Sequence, residues 1–374
     1  MIISISAEIE QLQNNNIYKR EICKNYPGSE WAFFLNEKIK KNHIVVTSDV
    51  ATSKLNKGIW TANEIYVIQH MNDITSKKLV DMGANPFIIL SFESPLYQGY
   101  FYDHSLSFIK IFKHKLLFDG LIKNLMVDVP NFHQIRFPSF SSDDNLDVDF
   151  KNKINKVIFV SSNQYIHYKG ISEIISLDDV IWFARRVISE FRYGSNVIKS
   201  ISHSDNQLHE KRLELLSSLV DLNFLDLYGK GWDSYNNLPR KWKRTLLRLL
   251  GDPRDRSVNN KIGALSKYRY CLCVENFQFH GYITEKIIHS IVAKSVPIYY
   301  GAPNITQYIP ADCFIDIRDF KGTEQLYDYI YQMDEDSYQK MINAGQKYLN
   351  SKYGKLHSYE GFSDYIANLI NMEF

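Results

Sequence analysis

The sequence has little cysteine, no marked excess of either charge, and no long apolar run. Its four cysteines among 374 residues, Cys23, Cys271, Cys273 and Cys313, do not form the framework of a disulfide-stapled secreted domain. Cys271 and Cys273 stand two apart on a strand-like run, so they point to the same side and are poorly placed to bridge each other. No Cys-x-x-Cys and no Cys/His cluster suggests zinc. Reduced cysteines of a cytoplasmic protein are the default. A formal charge of +2, from 44 Lys and Arg against 42 Asp and Glu, leaves no domain-wide basic excess and so argues against a nucleic-acid partner. No window approaches the roughly 20 apolar residues of a membrane span. The opening MIISISAEIEQLQ lacks the basic and apolar regions of a signal peptide. Internal repeats and low-complexity tracts are also missing.

What is present is ordinary globular material, 45% hydrophobic and 23% charged, and long enough for two domains with separate cores. Tyr occurs 25 times, which suits both sugar-handling surfaces and packed cores. Residues 1–140 alternate helix-like and strand-like segments. Ser29 is placed to cap a helix whose Trp31, Phe34, Leu35 and Ile39 share a face. Strands are expected at Ile44–Thr47, Glu64–Ile68 and Phe87–Phe92, giving an α/β domain with a mainly parallel sheet. The polar, turn-rich Ser139–Lys156 reads as a linker, 141–156. A second α/β domain, 157–347, opens with strand Val157–Val160 and the turn Ser161-Ser162-Asn163. It continues through strand Phe224–Tyr228 to Gly229 and Gly231. The tail, 348–374, is long enough for a last helix to return to the first domain. The role of the stretch Gln164–Asn206 is open.

The densest information lies between Tyr268 and Phe320. A strand-like run, Tyr268–Val274, ends in Glu275-Asn276. A polar loop follows, then a helix opening with Thr284-Glu285-Lys286, then a second strand, Val296–Tyr300, ending at Gly301. In such units ligands bind at the carboxyl ends of strands and the amino ends of helices. Thr284 suits an N-cap and Glu285 suits the positive end of the helix dipole. Lys286 does not suit it, and a bound anion reverses the sign of that mismatch.

Glu275-Asn276, Tyr282-Ile-Thr284-Glu285-Lys286, Ser295-Val-Pro297-Ile-Tyr-Tyr-Gly301, Ile309-Pro310 to Ile315 and Asp319-Phe320 closely resemble the donor-binding signature of the α-1,3/4-fucosyltransferases, glycosyltransferase family 10, of the bacterial soluble type. One departure is Val274, where the family usually has Phe. The resemblance implies a GT-B arrangement, two Rossmann-like domains facing a cleft, with the first reading the acceptor and the second holding GDP-fucose. It implies inverting transfer of L-fucose to a GlcNAc-type acceptor, in surface polysaccharide or lipopolysaccharide synthesis, with no metal.

Under that resemblance Arg212 and Lys286 hold the donor phosphates, Glu285 the ribose, and Asn276, Tyr282, Thr284 and Tyr228 the rest of the donor pocket. Asn163, Glu275 and His280 are secondary candidates, with Glu275 equally suited to ordering the loop and His280 to exposure. In the first domain Ser91-Phe92-Glu93-Ser94-Pro95 matches the family motif whose Glu is the general base, so Glu93 is the expected base and Asp103 a second candidate. Lys110 stands near where bacterial members carry another acid. The Asp147-Val-Asp149 motif resembles a metal site of the other large transferase fold, but it falls in the linker. The basic stretch Lys241–Leu250 fits a surface helix packed on the second domain better than a peripheral contact with the cytoplasmic membrane face. Alternatives are another nucleotide-deoxysugar donor, a non-catalytic carbohydrate-binding protein, or a metal-dependent transferase sensitive to EDTA. Oligomeric state is not legible.

Overall fold

The computed structural model of the chain describes all residues except 27, 72, 95–105, 121–128, 143–149, 164–205, 237, 239 and 374. It divides into two units, 1–142 with 352–374, and 143–351. Of the linker expected at 141–156, residues 143–149 lie outside the described set. The last three residues, from Ile154, already belong to a strand.

In the first unit β1 (Ile2–Ile5), β2 (Ile44–Thr47), β3 (Ile65–His70), β4 (Asn85–Leu90), β5 (His114–Leu117) and β6 (Phe132–Gln134) form a sheet in the order β2-β1-β3-β4-β5-β6. Every pairing is parallel. The strands are short runs of Ile, Val and Leu, and β1 is buried along its whole length, as helices on both faces of a parallel sheet require. Strands β1, β5 and β6 lie outside the segments expected to be extended. Strand β4 begins and ends two residues before the expected Phe87–Phe92, which releases Ser91–Glu93 as loop.

Helices α1 (Glu30–Ile39), α2 (Ser48–Asn56) and α3 (Ile74–Asp81) follow β1, β2 and β3. Helix α1 buries Trp31, Ala32, Leu35 and Ile39, a single apolar stripe. Ser29 stands at its N-cap with helical angles, and its side chain caps nothing. Helix α3 has a working cap, since Asp73 accepts from the N–H groups of Thr75 and Ser76 at 3.2 and 3.1 Å.

In the second unit β7 (Ile154–Val160), β8 (Leu225–Tyr228), β9 (Tyr268–Val274), β10 (Val296–Tyr300) and β11 (Ile315–Asp316) form a parallel sheet in the order β8-β7-β9-β10-β11. Its main helices are α4 (His209–Asp221), α5 (Arg240–Leu250), α6 (Glu285–Val292) and α7 (Glu335–Asn350). Val157, Leu216, Leu227, Leu272 and Ile298 lie in its core. The chain moves from β7 outward to β8, then returns past β7 to β9. That reversal makes a crevice at the carboxyl ends of β7 and β9, the place where open parallel sheets take ligands.

The last helix, α8 (Tyr359–Asn371), belongs to the first unit, where it packs on α1. The Trp31 and Phe362 rings meet edge-on at 5.5 Å, and the Ser363 hydroxyl donates to the Trp31 carbonyl at 2.7 Å. This packing holds α1 where a cap does not.

Candidate active site

The carboxyl edge of the second sheet is built from four strand ends. After β7 come Ser161, Ser162 and Asn163; after β8, Gly229; after β9, Glu275 and Asn276; after β10, Gly301. The β7 and β8 ends approach so closely that a Cβ on Gly229 would lie 1.9 Å from the Ser161 carbonyl oxygen, at a backbone φ of +132°. Only glycine fits there. Asn163 closes the same corner, its amide donating to the carbonyls of Gly231 and Ser234 at 2.9 and 2.7 Å. These two contacts tie the ends of β7 and β8 together.

Glu275 is the centre of the edge. It has no exposed surface. Its carboxylate accepts from the Thr284 N–H at 2.9 Å, the Thr284 hydroxyl at 2.7 Å and the Lys286 ammonium at 3.2 Å. A Cβ on Gly301 would come within 2.5 Å of Glu275 Cγ, so that glycine makes room for the carboxylate. Two sequence expectations change here. Thr284 occupies the N-cap of α6, but its side chain gives its hydrogen to Glu275 and caps no helical N–H. The anion that makes Lys286 tolerable at the positive end of α6 is Glu275, eleven residues earlier in the chain, so a bound ligand is not needed to explain the lysine. Lys286 also donates to the Thr284 hydroxyl at 3.1 Å.

Arg212, on the first turn of α4, reaches the same place. It is buried, and its guanidinium donates twice to the Val274 carbonyl, at 3.2 and 2.9 Å, and once to the Asn276 side-chain oxygen. It thereby grips the end of β9 and lines the crevice with Ser161, Ser162, Asn163, His209 and Trp232. Glu285 pairs with Lys261 at 3.1 Å. Burial works to raise its pKa, but Lys261, then Lys286 and His289, hold it well below the usual carboxylate range. Burial works to lower the pKa of Lys286, but Glu285 and Glu275 raise it, while Arg212 opposes them by repulsion. Lys261 and Lys286 thus face the carboxylates of Glu285 and Glu275, and the Arg212 guanidinium repels Lys286.

The other expected donor residues are placed differently. Tyr282 is 1% exposed and lies inside the fold. The Tyr228 hydroxyl meets that of Tyr268 at 3.3 Å, and Tyr268 donates to Asp226 at 2.9 Å, so Tyr228 is directed to the first residue of β9 and not to the Glu275 cluster. His280 is half-buried in the loop before Gly281, whose N–H donates to Asn304 at 2.9 Å. Arg256 escaped sequence reading. It bridges the end of β8, accepting from the Gly229 N–H at 2.8 Å, and it lies 27 residues beyond Gly229 with no periodic pattern to announce it. Lys261 was missed for the same reason. A wider groove of about 710 Å³ borders β11 and α7, but it contains none of Arg212, Glu275 or Lys286.

In the first unit Glu93 is half-buried just past the carboxyl end of β4, and its carbonyl accepts from the Ser91 hydroxyl at 3.3 Å. The neighbouring Phe92 ring lies 5.3 Å from that of His70, which pairs with Glu8 at 3.3 Å. Glu8 and His70, at the reversal between β1 and β3, were also missed. Asp103, Asp147, Asp149 and all but the last residue of the Gln164–Asn206 stretch lie outside the described residues. Among the described residues no group of three or more His, Cys, Asp or Glu is placed to hold a metal ion.

Residues 194–352 match the profile of the glycosyltransferase family 10 (fucosyltransferase) C-terminal region. The chain is 35% identical over 109 residues to the alpha-(1,3)-fucosyltransferase FucT of Helicobacter pylori, covering 29% of this chain and 22% of that protein. It is 35% identical over 84 residues to human alpha-(1,3)-fucosyltransferase 7, covering 22% of this chain and 25% of the relative. The matched stretches thus span a quarter or less of those relatives. Over nearly the whole chain the fold is that of an alpha1,3-fucosyltransferase crystal structure, with TM-score 0.53, 15% identity, and coverage of 99% and 90% of the two chains. It is also that of Anabaena HepE, solved with UDP-glucose, with TM-score 0.55, 10% identity and full coverage of both chains. Two parallel α/β units of this kind make the glycosyltransferase B-type fold.

Proposed function

We propose, for a chain whose residues 194–352 match the C-terminal region of glycosyltransferase family 10, that it transfers L-fucose from GDP-fucose to a hydroxyl of a GlcNAc-type glycan, with inversion at the anomeric carbon. The observation that carries this reading is the pairing of Arg212 and Lys286 at the carboxyl edge of the second sheet. Arg212 repels the Lys286 ammonium across the end of β9. A diphosphate relieves that repulsion, and a guanidinium is well shaped for it.

In the proposed reaction Glu93 takes the acceptor hydroxyl proton. The hydroxyl oxygen forms its bond to the anomeric carbon on the face opposite GDP. The bond from that carbon to the β-phosphate oxygen breaks, and its electron pair leaves with GDP. Arg212 and Lys286 stabilise the growing negative charge on the leaving group, a role that other transferases give to a metal ion. Glu285 is the proposed ribose acceptor, oriented by Lys261. Asn276, Tyr282 and Thr284 act through position, since each is tied into the loop between β9 and α6. The acceptor is proposed to belong to a surface polysaccharide or lipopolysaccharide.

The test is to incubate the full chain with a panel of nucleotide sugars and follow nucleoside diphosphate release, with and without GlcNAc-containing acceptors, in buffer and in EDTA. Acceptor-dependent GDP release from GDP-fucose, unchanged by EDTA, is expected. Turnover of a different nucleotide deoxysugar with none of GDP-fucose would overturn the donor assignment. Loss of turnover in EDTA, restored by a divalent cation, would overturn the metal-free mechanism.

A further inference from the structure

Helix α5 has two faces of opposite character. Trp242 and Leu246 point inward and join the core of the second unit. At 100° per residue, Lys243, Leu247, Arg240, Arg244, Arg248 and Lys241 follow one another around the outward arc, and all six are exposed. Leu247 is 39% exposed and stands among the five cations. Residues 230–256 hold eight Lys and Arg against three Asp, a net +5, whereas the whole chain carries +2. The rest of the protein is therefore slightly acidic, and the net positive excess lies in this segment.

Internal pairing does not account for the face. Arg248 meets Asp221 at 3.4 Å and Lys241 meets Glu210 at 3.9 Å, but both contacts are open to water and hold little energy. Lys243 donates to the Asn236 side chain at 3.2 Å, a neutral partner. Arg240 and Arg244 form no ion pair among the described residues.

We propose that the outward face of α5 docks on an anionic phospholipid surface, with its cations among the headgroup phosphates and Leu247 in the interfacial layer. Long Arg and Lys stems lie along such an interface while their charges stay in water. A nucleic acid fits less well. The surface is the convex side of one helix, the arc holds no aromatic ring to stack on a base, and its centre is an exposed leucine. The proposal concerns a face built from residues outside the candidate active site, so it stands or falls independently of the donor assignment.

The test is flotation of the full chain with vesicles of phosphatidylcholine alone or with 30% phosphatidylglycerol, in about 0.1 M salt, where charge attraction reaches roughly 10 Å. Binding to the anionic vesicles and none to phosphatidylcholine is expected. The triple variant Arg240→Gln, Arg244→Gln, Arg248→Gln should bind about a hundredfold more weakly, on the basis of about fivefold per cation at an anionic surface. Leu247→Ser, at unchanged charge, should weaken binding several-fold, which attraction to a polyanion alone would not produce. All four positions are exposed, so thermal unfolding should match the parent. Failure of the parent chain to float with anionic vesicles would overturn the proposal. So would full binding by the triple variant, indifference to Leu247→Ser, or equally tight binding to a short DNA duplex.

Discussion

Replacing Glu275 by Gln removes one charge and almost no volume, so it isolates what the buried carboxylate contributes. In the parent chain the two oxygens accept three hydrogens: the Thr284 N–H at 2.9 Å, the Thr284 hydroxyl at 2.7 Å and the Lys286 ammonium at 3.2 Å. Glutamine keeps one acceptor oxygen and turns the other position into a donor facing donors. Lys286, with its side chain only 16% exposed, then loses its closest counter-charge. Breaking one side of a buried pair costs about 3–5 kcal/mol, and each orphaned buried donor about 1–3 kcal/mol. Because Lys286 retains Glu285 at 3.8 Å and some water, the expected loss for Glu275→Gln is about 3–4 kcal/mol. Lys286→Met strands the carboxylate instead but leaves it two donors from Thr284, so about 2–3 kcal/mol is expected. Neither charge is stranded in the double variant, so it should cost about 2 kcal/mol less than the sum of the singles. Urea unfolding followed by tryptophan fluorescence and circular dichroism measures all three. Additivity of the two substitutions within about 0.5 kcal/mol would refute the argument, because it would mean that the two charges do not sense each other.

Gly229→Ala should destabilise the second unit by several kcal/mol, since a Cβ there meets the Ser161 carbonyl at 1.9 Å and the backbone has φ +132°. A fall in thermal midpoint by several degrees checks this. Glu93→Gln should abolish fucosyl transfer and leave GDP affinity within about twofold of the parent by calorimetry; retained turnover would place the base elsewhere. His357 is buried and its pKa is pushed down to about 3, chiefly by burial and then by Arg136. Its folded pKa lies below the unfolded value, so the neutral ring contributes stability above about pH 6.5 that is lost as pH falls toward 3. The chain should therefore lose about 3 kcal/mol of stability between pH 7 and pH 4.5 through this group. His357→Gln should show a shallower acid dependence over that range in urea titrations.

The sequence was most readable where physics and motif coincide. Strands β9 and β10 have the bounds expected of them because each is an apolar run ended by a polar or glycine breaker, and α6 begins where Thr284 marks a helix start. Strand β1 was unreadable, although it sits inside the first sheet, because three isoleucines and a serine at a chain start carry no periodicity that distinguishes them from coil. Strands β5 and β6 are as short and carry His, Lys and Gln.

At the candidate site the residue types were legible and their partners were not. Glu275 and Lys286 are both part of the signature, but that one neutralises the other depends on how the intervening loop folds back. Arg212 was found through the family pattern, and its grip on the Val274 carbonyl is a tertiary contact across 62 residues. Lys261 and Arg256 carry no local signal at all. The amphipathic pattern of α5 was legible from spacing, and the structure shows that Trp242 and Leu246 mark the inward face.

GDP is expected at the carboxyl edge of the second sheet. Hydrogen–deuterium exchange of the full chain, with and without saturating GDP, reads this directly. Slowed exchange is predicted at 161–163, 208–213 and 275–287, the strand ends and helix starts around Arg212, Glu275 and Lys286. Protection confined to residues 1–142, or none anywhere at saturating GDP, would contradict it.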